Sequence, residues 1–243
     1  MGKLSLSLHY LFEKALLSLP FYRYIAVSKY TEESLTSAGI DPQKILLIHN
    51  GIDYGEYGSN EIDFSPVPKN DVFTFIYFGR LGISKGLDLI LGATQLLKDN
   101  HAKFHLKLII PTVPKKFYDH IKNEINKRQI LDVISIESNL PWSDLRAKVN
   151  GSDAVIIPSY SEGFCFTAVE SMAMNRPIIS SGKGALNEVV TGKHILMSTH
   201  DENGLYDAMK KGLVGDWTET TLIKYPLESS VNKYLSLYNN IKT

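Results

Sequence analysis

From residue 71 onward, short apolar runs alternate with stretches whose apolar positions recur every three or four residues. Residues 72–78 are rich in aromatic and β-branched side chains and end at Gly79, so they read as a strand. Residues 85–98 carry Leu87, Ile90, Leu91 and Leu97 at helical spacing. The alternation continues with a strand at 106–110 stopped by Pro111, a charged helix at 117–129 and a strand at 133–136. A helix at 143–149 behind Pro141 precedes a strand at 154–157, stopped by Pro158. Next come a helix at 167–174, a strand at 177–180, a short helix at 185–190 and a strand at 194–197. Helices at 201–213 and 227–241 end the pattern.

Strands separated by helices imply right-handed crossovers and a parallel sheet covered on both faces. The expected fold class is therefore α/β, a doubly wound, Rossmann-like parallel sheet of six strands in the order 3-2-1-4-5-6. Residues 1–53 follow another rhythm. A mildly amphipathic start to about residue 20 leads to a strand at 24–27, a helix at 31–38, a strand at 45–48 and a His49-Asn50-Gly51-Ile52-Asp53 turn. One strand–helix–strand unit buries no core of its own, so 1–53 reads as the remnant of a second domain with its crossing segment. Residues 54–70 are polar and contain Pro and Gly, and read as a linker. The main domain is expected over 71–226, with a separate terminal helix over 227–243.

Open α/β sheets bind ligands beyond the carboxyl ends of the strands, where the strand order reverses. That crevice lies between the first and fourth strands. The loop after the first holds Gly79, Arg80, Gly82 and Lys85; the loop after the fourth holds Glu162, Gly163, Phe164 and Cys165. Two cations at a glycine-containing helix start make an anion site, with Arg80 able to grip phosphate oxygens in pairs and Lys85 acting as a point charge. Glu162 and Glu170 are eight residues apart, one before a turn and one on the helix after it. They can reach different hydroxyls of one extended ligand. The loop is not a Walker A sequence, because Lys85 lies between Ser84 and Gly86, and no G-x-G-x-x-G follows the first strand.

Composition narrows this further. The 243 residues are 44% hydrophobic and 21% charged, enough apolar mass for a core. Lys+Arg and Asp+Glu number 26 each, so no global field favours nucleic acid. Cys165 is the single cysteine, which points to a reducing, cytoplasmic setting. No apolar run reaches the roughly 18 residues of a membrane span, and the amphipathic start leaves contact with a membrane surface open.

Four segments resemble the family-4 retaining glycosyltransferases of the group 1 glycosyl transferase superfamily. Phe78-Gly79-Arg80-Leu81 with Lys85-Gly86 resembles the donor-phosphate loop, and Glu162-Gly163-Phe164 to Glu170 resembles the E-x7-E signature. Residues 177–190 resemble the following strand, turn and helix; Ala26-Val27-Ser28 and residues 48–53 resemble the end of the acceptor domain and the crossing. The resemblance implies a GT-B fold of two facing Rossmann-like domains, of which this chain would be mainly the C-terminal one. It implies transfer of a sugar from a nucleoside diphosphate donor (UDP, GDP or ADP) to a glycan, lipid or small-molecule acceptor with retention. Arg80, Lys85 and Glu162 would then be catalytic. Glu170 would contact the ribose, and Gly79, Gly82, Gly163, Phe164 and Cys165 would line the donor.

No Asp-x-Asp is present to hold a divalent metal, so no metal or other cofactor is expected. Arg80 and Lys85 would carry the leaving-group charge, each contact worth about 4 kcal/mol at ~4 Å near a surface before desolvation. Cys165 and Asn175 stand where the family usually has glycine. The missing acceptor domain implies a longer protein or a partner chain. The terminal helix groups Leu227, Val231, Tyr234, Leu235 and Tyr238 on one face, which would be partly exposed and available for self-association. The alternative reading is a non-catalytic, nucleotide-sugar-binding partner subunit of a glycosyltransferase complex.

Overall fold

The computed structural model describes residues 12, 15–17, 19–57 and 72–241. Most of the amphipathic start and of the linker therefore lies outside the described residues. The central sheet has seven strands. In chain order they are β3 (Phe73–Phe78), β4 (Phe104–Ile109), β5 (Ile134–Glu137), β6 (Ala154–Ile157), β7 (Ile178–Ser180), β8 (Lys193–Leu196) and β9 (Thr218–Glu219). Their spatial order is β5-β4-β3-β6-β7-β8-β9, the expected 3-2-1-4-5-6 with one added edge strand. That two-residue edge strand pairs antiparallel with β8. It went unread because so short an exposed strand carries no periodicity.

The central strands are apolar on both faces, as a sheet covered twice requires. Along β3, Phe75 and Tyr77 point into one core while Ile76 and Phe78 point into the other. Along β6, Ala154 and Ile156 join the first core, and Val155 and Ile157 join the second. Helices α2 (Leu87–Asp99), α3 (Lys115–Lys127) and α7 (Glu202–Val214) cover the first. Helices α4 (Trp142–Asn150), α5 (Phe166–Ala173) and α6 (Leu186–Val189) cover the second. Burying a Phe or Ile here contributes about 1.5–3 kcal/mol each.

The helix expected from residue 85 begins instead at Leu87. Residues Ile83–Lys85 form a 3-10 turn, and Gly86 turns the chain at φ +68°. A side chain at Gly86 would overlap the Pro158 carbonyl, so the two loops that flank the switch point touch through backbone. The Tyr160 amide, hydrogen-bonded to the Ser84 carbonyl at 2.8 Å, fastens them together.

The N-terminal segment forms β1 (Tyr24–Ala26), α1 (Lys29–Ser37) and β2 (Ile45–Leu47), with β1 and β2 parallel. From there the chain runs alongside the approach to α8 (Leu227–Ile241). The Ile52 amide donates to the Tyr225 carbonyl and the Leu227 amide donates to the Ile52 carbonyl, both at 2.9 Å. Tyr54–Tyr57, at the start of the expected linker, forms a 3-10 turn with Tyr54 buried. On α8, Leu227, Val231, Leu235 and Tyr238 are exposed, as the terminal helix pattern predicted, while Tyr234 is half-buried. Among the described residues, no helix is long and apolar enough to cross a membrane.

The two crossing segments meet at Gly51, where a Cβ would lie 2.5 Å from the Pro226 carbonyl oxygen. Gly51→Ala must push the segments apart, and the expected outcome is a melting temperature lower by roughly 5 °C or more. Differential scanning calorimetry measures it; an unchanged melting temperature would show that the crossing is not held by this contact.

Candidate functional site

The loops after β3 and β6 meet over a cleft of about 330 Å3. Lys85 Nζ lies 2.7 Å from Glu162 Oε1, so the first loop's cation and the second loop's carboxylate form an ion pair. Ser159 Oγ donates to the same Oε1 at 2.7 Å. The Lys85 and Glu162 side chains keep only 19% and 11% of their surface. At that depth the pair is weakly screened, and removing one partner leaves an uncompensated charge. Glu162 Oε2 takes no hydrogen bond from a described residue and remains open to a ligand.

Arg80 lines the same cleft, is exposed, and makes no ion pair with a described residue. Its backbone is fixed rather than its guanidinium: Tyr77 Oη, buried below, donates to the Arg80 carbonyl at 3.0 Å. Burial, and then the Glu162 charge, push the Tyr77 phenol up, so it stays a neutral donor. Gly79, Gly163, Phe164 and Cys165 also line the cleft. The amides of Phe164, Cys165, Phe166 and Thr167 donate to no described residue, and they sit at the start of α5. A helix amino end with unpaired N–H groups beside two cations attracts an anion.

Cys165 adopts φ +76° and Asn175 φ +57°. The two positions where glycine was expected are thus left-handed turns, a conformation that costs a residue such as Cys165 about 1–2 kcal/mol and that asparagine adopts more readily. The Cys165 thiol is buried, and burial followed by the nearby Glu162 charge pushes it up to about 12. It is a wall of the cleft, not a nucleophile.

Two expected residues stand apart. Gly82 does not line the cleft; it borders a neighbouring cavity of about 230 Å3 between the first loop and α3, because the 3-10 turn swings it outward. Glu170 also falls outside the lining. Its Oε1 accepts from Tyr57 Oη at 3.3 Å, and the Tyr57 ring meets Trp142 edge-on at 5.3 Å. Burial raises the Glu170 pKa, a shift that the Tyr57 hydrogen bond opposes.

Sequence reasoning missed Ser159's hold on Glu162, the Tyr57–Glu170 contact, and the contribution of Val27 and Asn50 to the cleft. Ser159, three residues from Glu162, was within reach of a local reading. The other three come from distant segments, and no local pattern marks them.

A model of the family described as Glycosyl transferases group 1 matches residues 59–225. The chain belongs to the group 1 glycosyl transferases. Among similar proteins, an uncharacterized glycosyltransferase of Methanocaldococcus jannaschii is 26% identical over 190 residues, 75% of this chain and 46% of that protein. Sucrose-phosphate synthase from Thermosynechococcus elongatus shares the fold with a TM-score of 0.76 at 19% identity, over 95% of this chain and 61% of that one. A crystal structure of Anabaena HepE in complex with UDP-glucose matches with a TM-score of 0.67 at 17% identity, over 80% of this chain and 55% of that one. The chain spans less than half the length of the curated relatives it matches. Residues 79–170, which carry every expected site residue, fall inside the region matched by the group 1 family. The fold is the Rossmann-like half of the GT-B architecture.

Two outcomes test the electrostatics. The Cys165 thiol is neutral through pH 9, so iodoacetamide should label the native protein at pH 8 at least about a hundredfold more slowly than the urea-unfolded chain; comparable rates would contradict the burial. For Glu170, the folded pKa lies above the unfolded one. Its stabilising effect is therefore complete below the unfolded value and is lost as pH rises through the folded value. Glu170→Gln should melt higher than wild type at pH 7.5, with the gap closing as pH falls toward the ordinary carboxylate range. A lower melting point at pH 7.5 would mean that the carboxylate is stabilising after all.

Proposed function

We propose that this chain is the nucleotide-sugar-binding half of a retaining, metal-independent glycosyltransferase that moves a hexosyl-type sugar from UDP, GDP or ADP to a hydroxyl acceptor. The observation that carries the reading is the Lys85–Glu162 ion pair at 2.7 Å, set beside Arg80, which pairs with no described residue, in one cleft at the sheet's switch point. Membership of the group 1 family supports sugar transfer, and the UDP-glucose in complex with the structurally similar HepE supports a nucleoside diphosphate sugar as donor.

In this reading Arg80 and Lys85 bind the donor diphosphate. When the bond between the anomeric carbon and the β-phosphate oxygen breaks, the electron pair leaves with the diphosphate. Both cations and the free amides at the start of α5 meet that charge. The acceptor oxygen bonds to the anomeric carbon and gives up its proton to the departing β-phosphate oxygen. Glu162, held by Lys85 and Ser159, offers Oε2 to sugar hydroxyls. Glu170 takes the ribose hydroxyls in place of Tyr57. Gly79, Gly163, Phe164 and Cys165 shape the donor seat, with Gly82 turned away at its edge. Retention rests on the family resemblance.

Metal independence rests on the two cations and on the lack of an Asp-x-Asp sequence. A glycan or lipid acceptor, a partner acceptor domain, self-association through α8 and a cytoplasmic setting that extends to the membrane surface complete the proposal.

Titration calorimetry with UDP, GDP and ADP in metal-free buffer tests it. One of them should bind, and Arg80→Ala and Lys85→Ala should each weaken it about tenfold or more, the loss of a charge-assisted contact. The corresponding nucleoside should be affected little. If none of the three diphosphates binds the wild-type chain, the proposal fails.

A further inference from the structure

Glu188 lies outside the donor cleft, yet its carboxylate closes a helix 159 residues away in the chain. Its Oε2 accepts from the Lys29 amide at 3.1 Å and its Oε1 from the Tyr30 amide at 3.2 Å. These are the first two amides of α1. The third, on Thr31, is satisfied locally by Ser28 Oγ at 3.0 Å, and Thr31 Oγ1 returns the contact to the Ser28 amide at 2.9 Å. The local capping box thus leaves two orphan donors, and Glu188 supplies the anion that a helix amino end favours. His49 Nε2, on the crossing segment, stands 3.8 Å from the same carboxylate.

Both sides of this clasp reach the donor turn. On one side, α6 is tied to the turn through the Ala185 amide, which donates to the Glu162 carbonyl at 2.9 Å. The Glu188 carbonyl is itself held by Tyr225 Oη at 3.4 Å. On the other side, the first turn of α1 overhangs the same residues. Tyr30 Oη lies 3.4 Å from Ser161 Oγ, and the Thr31 methyl packs over Gly163, 3.7 Å from where a Cβ on that glycine would sit. Val27, immediately before the α1 cap, lines the cleft.

We infer that Glu188 is a positioning residue for the donor sugar: by capping α1 from α6, beside the cleft, it holds the α1 first turn over Ser161-Glu162-Gly163 and encloses the sugar from that side. The inference rests on the proposed donor site and adds a residue that does not touch the donor. The diphosphate end, gripped by Arg80 and Lys85, is independent of it. Loss of the clasp should therefore weaken recognition of the sugar and spare recognition of the nucleotide.

The test compares wild type, Glu188→Ala and Glu188→Gln by calorimetry with a nucleoside diphosphate and its glucose conjugate, UDP and UDP-glucose being the first pair. Glu188→Ala should leave the UDP affinity within about twofold and reduce the extra affinity that the glucosyl group confers by about tenfold. Glu188→Gln, which keeps one acceptor oxygen for an amide, should retain part of it. A merely structural role would lower both affinities together, and that result would overturn the inference, as would an unchanged glucosyl increment. Amide hydrogen exchange reads the clasp without any ligand. Lys29 and Tyr30 should lose protection in Glu188→Ala while Thr31, capped by Ser28, keeps it; equal protection in the variant and wild type would overturn the clasp. If wild type binds none of UDP, GDP and ADP, the donor proposal itself fails, and the exchange result still decides whether Glu188 holds α1.

Discussion

The ion pair between Lys85 and Glu162 sets the terms for the rest of the molecule. Two opposite charges mostly withdrawn from water are tolerated only when their geometry is held and their remaining hydrogen-bonding sites are filled. The fold meets that demand from several directions. Gly86 turns the first loop back toward Pro158, Tyr160 fastens it through backbone, Ser159 fills part of Glu162, and Ala185 pins the Glu162 carbonyl. These restraints exist because β3 and β6 are neighbours at the point where the sheet reverses its order. The helices that cover the two faces of the sheet bury its core, while the loops at the carboxyl ends are left free to carry charge.

An anion entering this cleft would meet charge already organised. Among the described residues Lys85 is engaged in an ion pair and Arg80 is not, so one cation is oriented and the other can follow a ligand. The amides at the start of α5, which donate to no described residue, add partial positive charge that needs no rearrangement. Cys165 sits in a left-handed conformation at this helix start, with its thiol neutral and packed away. Strain of this kind persists when the surrounding packing determines the backbone, and here Phe164 and Ala168 lie in the same buried cluster.

The N-terminal segment is more than an appendage to the sheet. Its first helix borrows a cap from Glu188, its crossing strand pairs with the approach to α8, and Tyr57 reaches Glu170. Each contact joins residues more than a hundred positions apart. Together they bring Val27 and Asn50 to the rim of the cleft at the switch point, so that the cleft is built from three stretches of chain rather than two.

Periodicity along the chain was enough to define the alternation of strands and helices, while the strand order, and with it the two loops that meet at the switch point, followed from the fold class that this alternation implies. Burial on both faces writes a continuous apolar signature into β3 and β6, and helices over a sheet repeat every three to four residues. Local chemistry likewise singled out Arg80, Lys85 and Glu162, because they cluster around glycine turns at two strand ends that the topology brings together, and Glu170 by its spacing of eight from Glu162 on the helix that follows. Tertiary structure alone decided that Lys85 precedes its helix, that Gly82 faces away, that Tyr57 sits on Glu170 and that Glu188 closes α1. These depend on how backbone turns aim side chains and on contacts between distant segments, and neither leaves a mark in the order of neighbouring residues.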